Sequence, residues 1–568
     1  MDSVPAKPAE PHESALRLTA QGAILLVLVV FLAFIPALRA GFIWDDEALT
    51  ENVWLRTPGG LRRIWIPPGA SNEFEAHYWP LVYTSFWLEQ KLWGLAPLGY
   101  HLTNVLLHAL NAVLLWRLLE RLKLPAAWLA AAVFALHPIH VESVAWVIER
   151  KDLLSALFCL TAFLAYARYE SVRSRWAYAA ALALFACAML SKSVAISLPL
   201  GLGLWVWWKR GGLGARDALR LGPFLALGAL IGGYDAALAT LRHSSPSGLS
   251  FVERALVAGR ALWFYASKLF WPANLMTIYP RWEINSHSVL AWAYPAAAAA
   301  VLALLWARRR AWGRGPLGAV LFFAVTLGPT LGFVDFGFMN HSFVADRFQY
   351  LASIGPIALF AGLAERMAGR PTDIRRFFWG AAAAALLGIL GVLTWRQAAF
   401  YETSETLFRH NLERNPGSWG AHNNLGLALT NGGSFEEARR HFEAALRIKP
   451  DSAETYHNLG AILSLQSRID EAIPFYLEAL AKSPLYYRSL ANLCVAYQGK
   501  GELQKAIECG QKAVGLAPYN AAVQTNLGSA LCESGRIAEG IEHFRLALQI
   551  QPDYVRARKG LSRYAPAD

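Results

Sequence analysis

From about Gly22 to Trp395 apolar runs follow one another with short polar interruptions, and from about Tyr401 onward the pattern turns to the mixed apolar and charged spacing of soluble helices. A membrane crossing needs roughly 20 predominantly apolar residues. Runs at residues 22–38, 100–118, 128–141, 153–166, 176–190, 194–208, 219–241, 289–306, 317–334, 350–364 and 378–395 therefore predict an all-α membrane bundle of about eleven spans. The first run reads as an uncleaved span and not a signal peptide, because Ala37-Leu38-Arg39-Ala40 offers no small-x-small cleavage site. Residues 255–271 are left out: Arg254, Arg260 and Lys268 punctuate them, and Trp263, Phe264, Tyr265 and Trp271 read as an interfacial belt.

Basic clusters set the expected sidedness. With the N-terminus inside, the loops 117–123, 168–175, 209–220, 308–314 and 365–376 become cytoplasmic and hold most of these clusters. An odd span count then puts the C-terminal segment on the opposite side, with the loops 41–99, 137–151, 191–193, 243–250 plus 274–287, and 335–347. The expected location is a bacterial inner membrane, with the C-terminal segment periplasmic or otherwise extracytoplasmic.

Composition agrees with two bodies in different solvents. Hydrophobic residues make up 55% and charged residues 17%, with mean hydropathy +0.30, an apolar balance too high for a purely soluble chain. The net charge of +12 sits in short loops between apolar runs, so it reports topology and not a nucleic-acid partner. Five scattered cysteines imply neither a disulfide framework nor a zinc site.

The C-terminal segment repeats. Pro416, Pro450, Pro484, Pro518 and Pro552 recur at a step of 34, in phase with Asn424-Leu425-Gly426, Asn458-Leu459-Gly460, Asn492-Leu493-Cys494 and Asn526-Leu527-Gly528. Ala438, Ala472 and Ala506, then Ala445, Ala479, Ala513 and Ala547, supply small side chains where paired helices approach; Gly540 replaces the fourth alanine of the first series. This resembles the tetratricopeptide repeat: four units over residues 417–552, preceded by a helix at 401–414 that caps the stack. The division expected is a membrane domain at 1–400, including the first outer loop, and a repeat domain at 401–568. Such solenoids present a concave groove to peptides or proteins, and a bare spacer is the alternative.

Chemistry-bearing residues gather in the outer loops. Trp44-Asp45-Asp46-Glu47 follows the first span, and crowded acids can hold one raised pKa suited to a general base. His101, Asn104, His108 and Asn111 share one helical face of an apolar run, which fits either helix–helix hydrogen bonding or a cavity lining. The stretch HPIHVESVAWVIERKD places His137, His140, Glu142, Glu149, Arg150, Lys151 and Asp152 between two spans. Arg150 and Lys151 are suited to clamping a lipid phosphate, and Ser191-Lys192-Ser193 and Asp346-Arg347 add further cations. His137 and His140 lack an acidic ligand set of known metal spacing, so a divalent metal is only a secondary option and no cofactor is assigned.

The order of Trp44-Asp45-Asp46, the segment beginning at Tyr78, His137 to Asp152, SKSVAISLPL from Ser191, DRFQYLASIGP from Asp346 and the terminal repeats resembles bacterial relatives of the transmembrane and tetratricopeptide-repeat O-mannosyltransferases. The resemblance implies the GT-C glycosyltransferase fold, a catalytic carboxylate in the first outer loop and a polyprenyl-phosphate-linked sugar donor. It places the acidic doublet on Asp45 and Asp46, the loop signature on His137, His140, Glu142, Arg150 and Asp152, and the Asp-Arg-aromatic cation on Arg347. Phe348 stands where many relatives have Tyr, and Trp44 departs from their usual Asn-Tyr. The expected activity is inverting transfer of mannose or a similar hexose to protein Ser/Thr hydroxyls. One of Asp45 and Asp46 would act as base, and Arg150, Lys151 and Arg347 would stabilise the departing phosphate. The expected partners are the lipid-linked sugar, membrane lipids and an acceptor protein held by the repeats. A lipid-linked-sugar transporter is disfavoured by the absence of internal symmetry among the spans, and a membrane-anchored scaffold by outer loops it would not need.

Overall fold

The computed structural model describes residues 11–57, 59–66, 77–242, 248–368 and 373–565. Parts of the expected outer loops, 67–76 and 243–247, and of an inner loop, 369–372, lie outside the described residues. Among the described residues every regular element is a helix. The chain forms two compact units, one of Met1–Asp46 with His77–Thr403 and one of Glu47–Ala76 with Ser404–Asp568. The first outer loop, expected with the membrane part, is thus divided, and its stretch after Asp46 belongs with the repeats.

In the first unit, Pro97–Arg121, Ala215–Thr240, Val289–Arg308 and Phe377–Ala399 are long and apolar enough to cross a membrane. The 20 residues of Val289–Arg308 rise about 30 Å, a hydrocarbon core's thickness, and none of them is buried within the protein. Pro97–Arg121 differs because its polar stripe, His101, Asn104, His108 and Asn111, is wholly buried against protein.

The expectation of about eleven spans is corrected: four described helices meet the length and hydropathy needed, or five if the bent pair Ala127–Leu136 and Pro138–Ala145, at 54°, is one crossing. Pro138 accounts for one of the shortened runs, since the residue before a proline is pushed out of the α region and His137 is extended, with φ −79° and ψ 125°. The run at 128–141 yields a helix of only 10 residues, Ala127–Leu136, stopping at His137 before Pro138. The run at 317–334 yields Gly315–Leu327, 13 residues, continued only by a 3₁₀ turn over Gly328–Thr330. Leu198–Arg210 is also 13 residues long, starting only after a 3₁₀ segment and with Pro199 in its first turn. Arg150–Val172 is long enough, yet it opens on Arg150-Lys151-Asp152 and carries Arg168 and Glu170. With the count reduced, its parity no longer fixes sidedness. Residues 255–270 fall within the helix Phe251–Phe270, with Trp271 at its C-cap; the helix starts at a Ser250–Glu253 capping box and is not among the spans.

In the second unit the repeats form helix pairs: Trp419–Asn431 with Phe435–Ile448, Ala453–Leu465 with Ile469–Lys482, Tyr487–Gly499 with Leu503–Leu516, and Ala521–Glu533 with Ile537–Ile550. Ser418, Ser452 and Asn520 cap the first helix of their pairs by accepting backbone N–H bonds. Gly426 lets that helix press on the Phe442 ring, where a Cβ would lie 2.6 Å from a ring carbon; Gly460 meets Tyr476 in the same way, at 2.7 Å. The third pair reverses the arrangement, with Cys494 on the first helix facing Gly510 on the second. The departure from Asn-Leu-Gly is therefore offset across the helix contact. Ser404–Arg414 precedes the pairs and Val555–Tyr564 follows them.

Candidate functional site

The acidic doublet forms one 3₁₀ turn, Trp44–Asp46. Trp44 takes a left-handed φ of 48° and stacks on Trp146, ring centroids 4.5 Å apart. That conformation turns the two acids to different surroundings. Asp45 is exposed, whereas Asp46 is fully buried, its Oδ2 accepting Ile43 N–H at 3.1 Å and its Oδ1 accepting Ile148 N–H at 2.8 Å. Burial pushes the Asp46 carboxyl up to about 8; its backbone hydrogen bonds pull it down and the Asp45 charge pushes it up.

The segment from His137 to Asp152 folds inward as a 3₁₀ turn (Pro138–His140), a short helix (Val141–Ala145) and a second 3₁₀ turn (Val147–Glu149) before the helix Arg150–Val172. Glu149, one residue beyond the Ile148 N–H that holds Asp46, is the hub of a buried charge network. Its Oε1 meets Lys151 Nζ at 3.1 Å and Arg347 Nε at 3.4 Å, and its Oε2 meets Lys192 Nζ at 3.3 Å. Lys192 also donates to Asp152 Oδ1 at 2.7 Å, and Arg347 pairs with Glu142 through its side chain and its backbone N–H. Burial opposes the Arg347 charge, but Glu142 and Glu149 outweigh it and hold the guanidinium above its ordinary value. Arg347 further lies over the rings of Phe338, Phe348 and Trp146. Lys151 is the most accessible of the three cations, its ammonium 4.9 Å from the Trp79 ring centroid.

Arg150 does not join this network. It is completely buried, with Nε donating to Asn104 Oδ1 at 2.8 Å, one terminal nitrogen to Glu89 and Ser85, and the other to the Tyr100 carbonyl at 2.9 Å. Four of its five N–H groups are committed to the protein. The expected pairing of Arg150 with Arg347 at one phosphate is therefore not how the structure uses these arginines.

The histidines mostly hold backbone. His108 bonds Tyr350 Oη at 2.7 Å and the Ala135 carbonyl at 3.0 Å; His140 bonds the Phe134 carbonyl at 2.8 Å and Ser353 Oγ at 3.0 Å. His137 reaches the Leu269 carbonyl at 2.9 Å, and His101 the Gly41 carbonyl at 3.2 Å, five residues before Asp46. Asn104 and Asn111 donate to the Val144 and Leu153 carbonyls. The four side chains of this stripe thus hydrogen-bond to neighbouring segments of the first unit. Among the described residues no three His, Cys, Asp or Glu side chains are placed to share a metal ion.

Sequence reasoning gave no role of its own to Glu149 and counted Lys192 only among further cations of the outer loops. It also passed over Asp235, an acid inside the run at 219–241, which accepts from Tyr78 N–H at 2.7 Å and from Ser193 and lies 3.1 Å from His77 Nδ1. A lone carboxylate in an apolar run was the available signal.

Comparison with known proteins now bears on this arrangement. Tetratricopeptide-repeat family models match residues 420–484 and 521–554. The human Protein O-mannosyl-transferase TMTC3 is 34% identical over 151 residues, 25% of this chain and 16% of that protein. Protein O-mannosyl-transferase F38B6.6 of Caenorhabditis elegans is 22% identical over 465 residues, 75% of this chain and 63% of that protein. The chain is thus similar, over part of its length, to proteins named protein O-mannosyl-transferases. A third such relative, Protein O-mannosyl-transferase Tmtc1 of Drosophila melanogaster, is 36% identical over 150 residues, 25% of this chain and 17% of its own length. Each match thus spans less than two thirds of the O-mannosyl-transferase concerned. Among solved structures, MamA aligns at 22% identity and TM-score 0.25 over 28% of this chain and 91% of MamA. The tetratricopeptide-repeat protein YrrB aligns at 17% and 0.25 over 36% and 97%.

Proposed function

We propose that the chain is a membrane glycosyltransferase that moves a hexose, mannose or a close relative, from a polyprenyl-phosphate donor to Ser or Thr hydroxyls of proteins at the non-cytoplasmic face. One observation carries the reading: the turn holding Asp45 and Asp46 is tied through Ile148 to Glu149, which gathers Lys151, Lys192 and Arg347. A base and a set of cations for a leaving phosphate are the two components such a transfer needs. The names of the relatives support the same reaction class.

Asp45 is the base, because it is exposed to an incoming hydroxyl, while both oxygens of Asp46 accept backbone N–H groups. Asp46 is the anchor that holds the turn. The acceptor oxygen attacks the anomeric carbon as its proton passes to Asp45, the bond from that carbon to the phosphate oxygen breaks, and the lipid phosphate departs as an anion. Attack opposite the leaving group inverts the anomeric carbon. Lys151, Lys192 and Arg347 stabilise the departing charge, and Arg150, assigned to this role by sequence, instead braces the Arg150–Val172 helix against Glu89 and Asn104.

The sidedness is supported by the basic loops and by the chain path. The polypeptide leaves the first unit at Asp46 and again at Thr403, and Gly41 N–H donates to the Glu402 carbonyl at 3.1 Å, so the two exits share one end of that unit. The repeats follow from the end that carries the acids. Glycopeptide mass spectrometry of extracytoplasmic proteins from cells with and without the chain tests the reading: hexosylated Ser/Thr peptides should vanish in its absence, and an unchanged set would refute it.

A further inference from the structure

A cavity of about 570 Å³ opens in the first unit, lined by none of the residues gathered around Glu149. Its size suits a small ligand or a headgroup. Three helix ends meet there. Trp207 and Trp208 lie in the last turn of Leu198–Arg210, Trp306 ends Val289–Arg308 with Arg309 and Arg310 just beyond it, and Arg314 stands at the start of Gly315–Leu327. The Trp207 and Trp306 rings lie nearly parallel, centroids 6.3 Å apart, and the Arg309 guanidinium is 4.0 Å from the Trp306 centroid. Arg314 reaches the Trp208 carbonyl at 3.5 Å. Among the described residues no carboxylate pairs with Arg309, Arg310 or Arg314. Arg210, next to the lining residue Gly211, takes up Glu170 and Asp217. No residue of Val289–Arg308 is buried, so that helix presents its length to lipid and the cavity opens where it leaves the hydrocarbon.

We infer that this cavity binds the headgroup phosphate of an anionic phospholipid. Three guanidinium groups offer N–H forks to phosphate oxygens, and no acid of the protein competes for them. The indoles form apolar walls with a polar edge, which fit the glycerol part of a lipid and give a free phosphate nothing. Under the sidedness proposed above, the cavity faces the cytoplasmic leaflet, whose anionic lipids are drawn to basic clusters of this kind. A lipid held there ties the ends of three helices together and stabilises the folded chain.

The test uses the full chain in neutral detergent with phosphatidylglycerol and phosphatidylcholine, native mass spectrometry counting the phospholipid retained. Wild type should retain phosphatidylglycerol in preference to phosphatidylcholine. Replacing Arg309, Arg310 and Arg314 by Gln should weaken that retention by roughly fivefold for each arginine. Replacing Arg121, Lys123 and Arg175 by Gln, which removes the same charge from other basic loops, should leave it unchanged. Excess inorganic phosphate should not displace the lipid. Absence of a preference in wild type would overturn the inference. Equal losses in the two triple variants would do so by showing general surface charge, and displacement by inorganic phosphate by showing a site for the free anion. A milder variant guards against misfolding of the triple one: added phosphatidylglycerol should raise the unfolding midpoint of wild type more than that of Arg314→Gln, and equal shifts would also overturn the inference. None of these readouts involves sugar transfer, so the lipid site and the glycosyltransferase reading stand or fall separately.

Discussion

Asp46 carries the sharpest residue-scale consequence. Its carboxyl, raised from 3.8 to about 8 mainly by burial, binds its proton more tightly in the folded chain than in the unfolded one. Between those two values the unfolded chain ionises first, so this group's contribution to stability falls as pH rises and is lost by the time pH passes the folded value. The unfolding midpoint in detergent should therefore drop more in wild type than in Asp46→Asn when pH is raised from about 6 to about 9. The arginines divide by partner. Arg150→Ala leaves Glu89 buried without its cation and should reduce the amount of inserted chain, a cost of about 3–5 kcal/mol for a broken buried pair. Arg347→Lys should keep normal abundance and lose transfer, because the charge stays while the fork spanning Glu142 and Glu149 is lost. Immunoblots paired with transfer rates separate the two outcomes. Sequence pattern brought out Asp45, Asp46, Lys151 and Arg347 because charge beside apolar runs is conspicuous. It could not tell Arg150 from Arg347, since what differs is the partner: Glu89 and Asn104 for one, Glu142 and Glu149 for the other, each supplied by a distant segment.

Among the elements, the repeat helices are the best marked in the sequence, because each position of the 34-residue step answers one packing demand. Gly460 stands where Tyr476 crosses, and a methyl group there would sit 2.7 Å from the ring. Gly460→Ala should cost about 1–3 kcal/mol and show as a lower unfolding midpoint or faster proteolysis of the repeats. The membrane elements were less legible for a physical reason. Hydropathy sums side chains and is nearly blind to a proline in an apolar run, so Pro138 splits a stretch that looked continuous. The break at Pro138 is also what turns His140 and Glu142 inward, toward Ser353 and Arg347. The unit boundary at Asp46 was hidden in the same way, since the short helices at Glu47–Glu51 and Val53–Arg56 resemble ordinary loop until Val53 and Trp54 are seen against the fourth repeat.

For the whole molecule, the account needs the repeats and the acidic turn on the non-cytoplasmic side. A phosphatase that folds only outside the cytoplasm, fused after Asp568, should be active, and activity from a cytoplasm-only reporter at the same point would reverse every assignment of loop to face. The two exits of the chain from the first unit make that orientation a single requirement: if Gly41 and Glu402 lie at the outer end, Asp45, Asp46 and the start of the repeats do too. The central claim is that this chain transfers a sugar with Asp45 as base. Its most direct measurement is the rate at which purified chain in lipid vesicles hexosylates a Thr-containing peptide from polyprenyl-phosphate mannose, compared between wild type and Asp45→Asn at equal insertion. Loss of a general base should lower that rate by about 10²–10⁴ while leaving the chain folded. Equal rates in the two proteins would contradict the claim, as would a wild-type chain that binds the donor and never transfers its sugar.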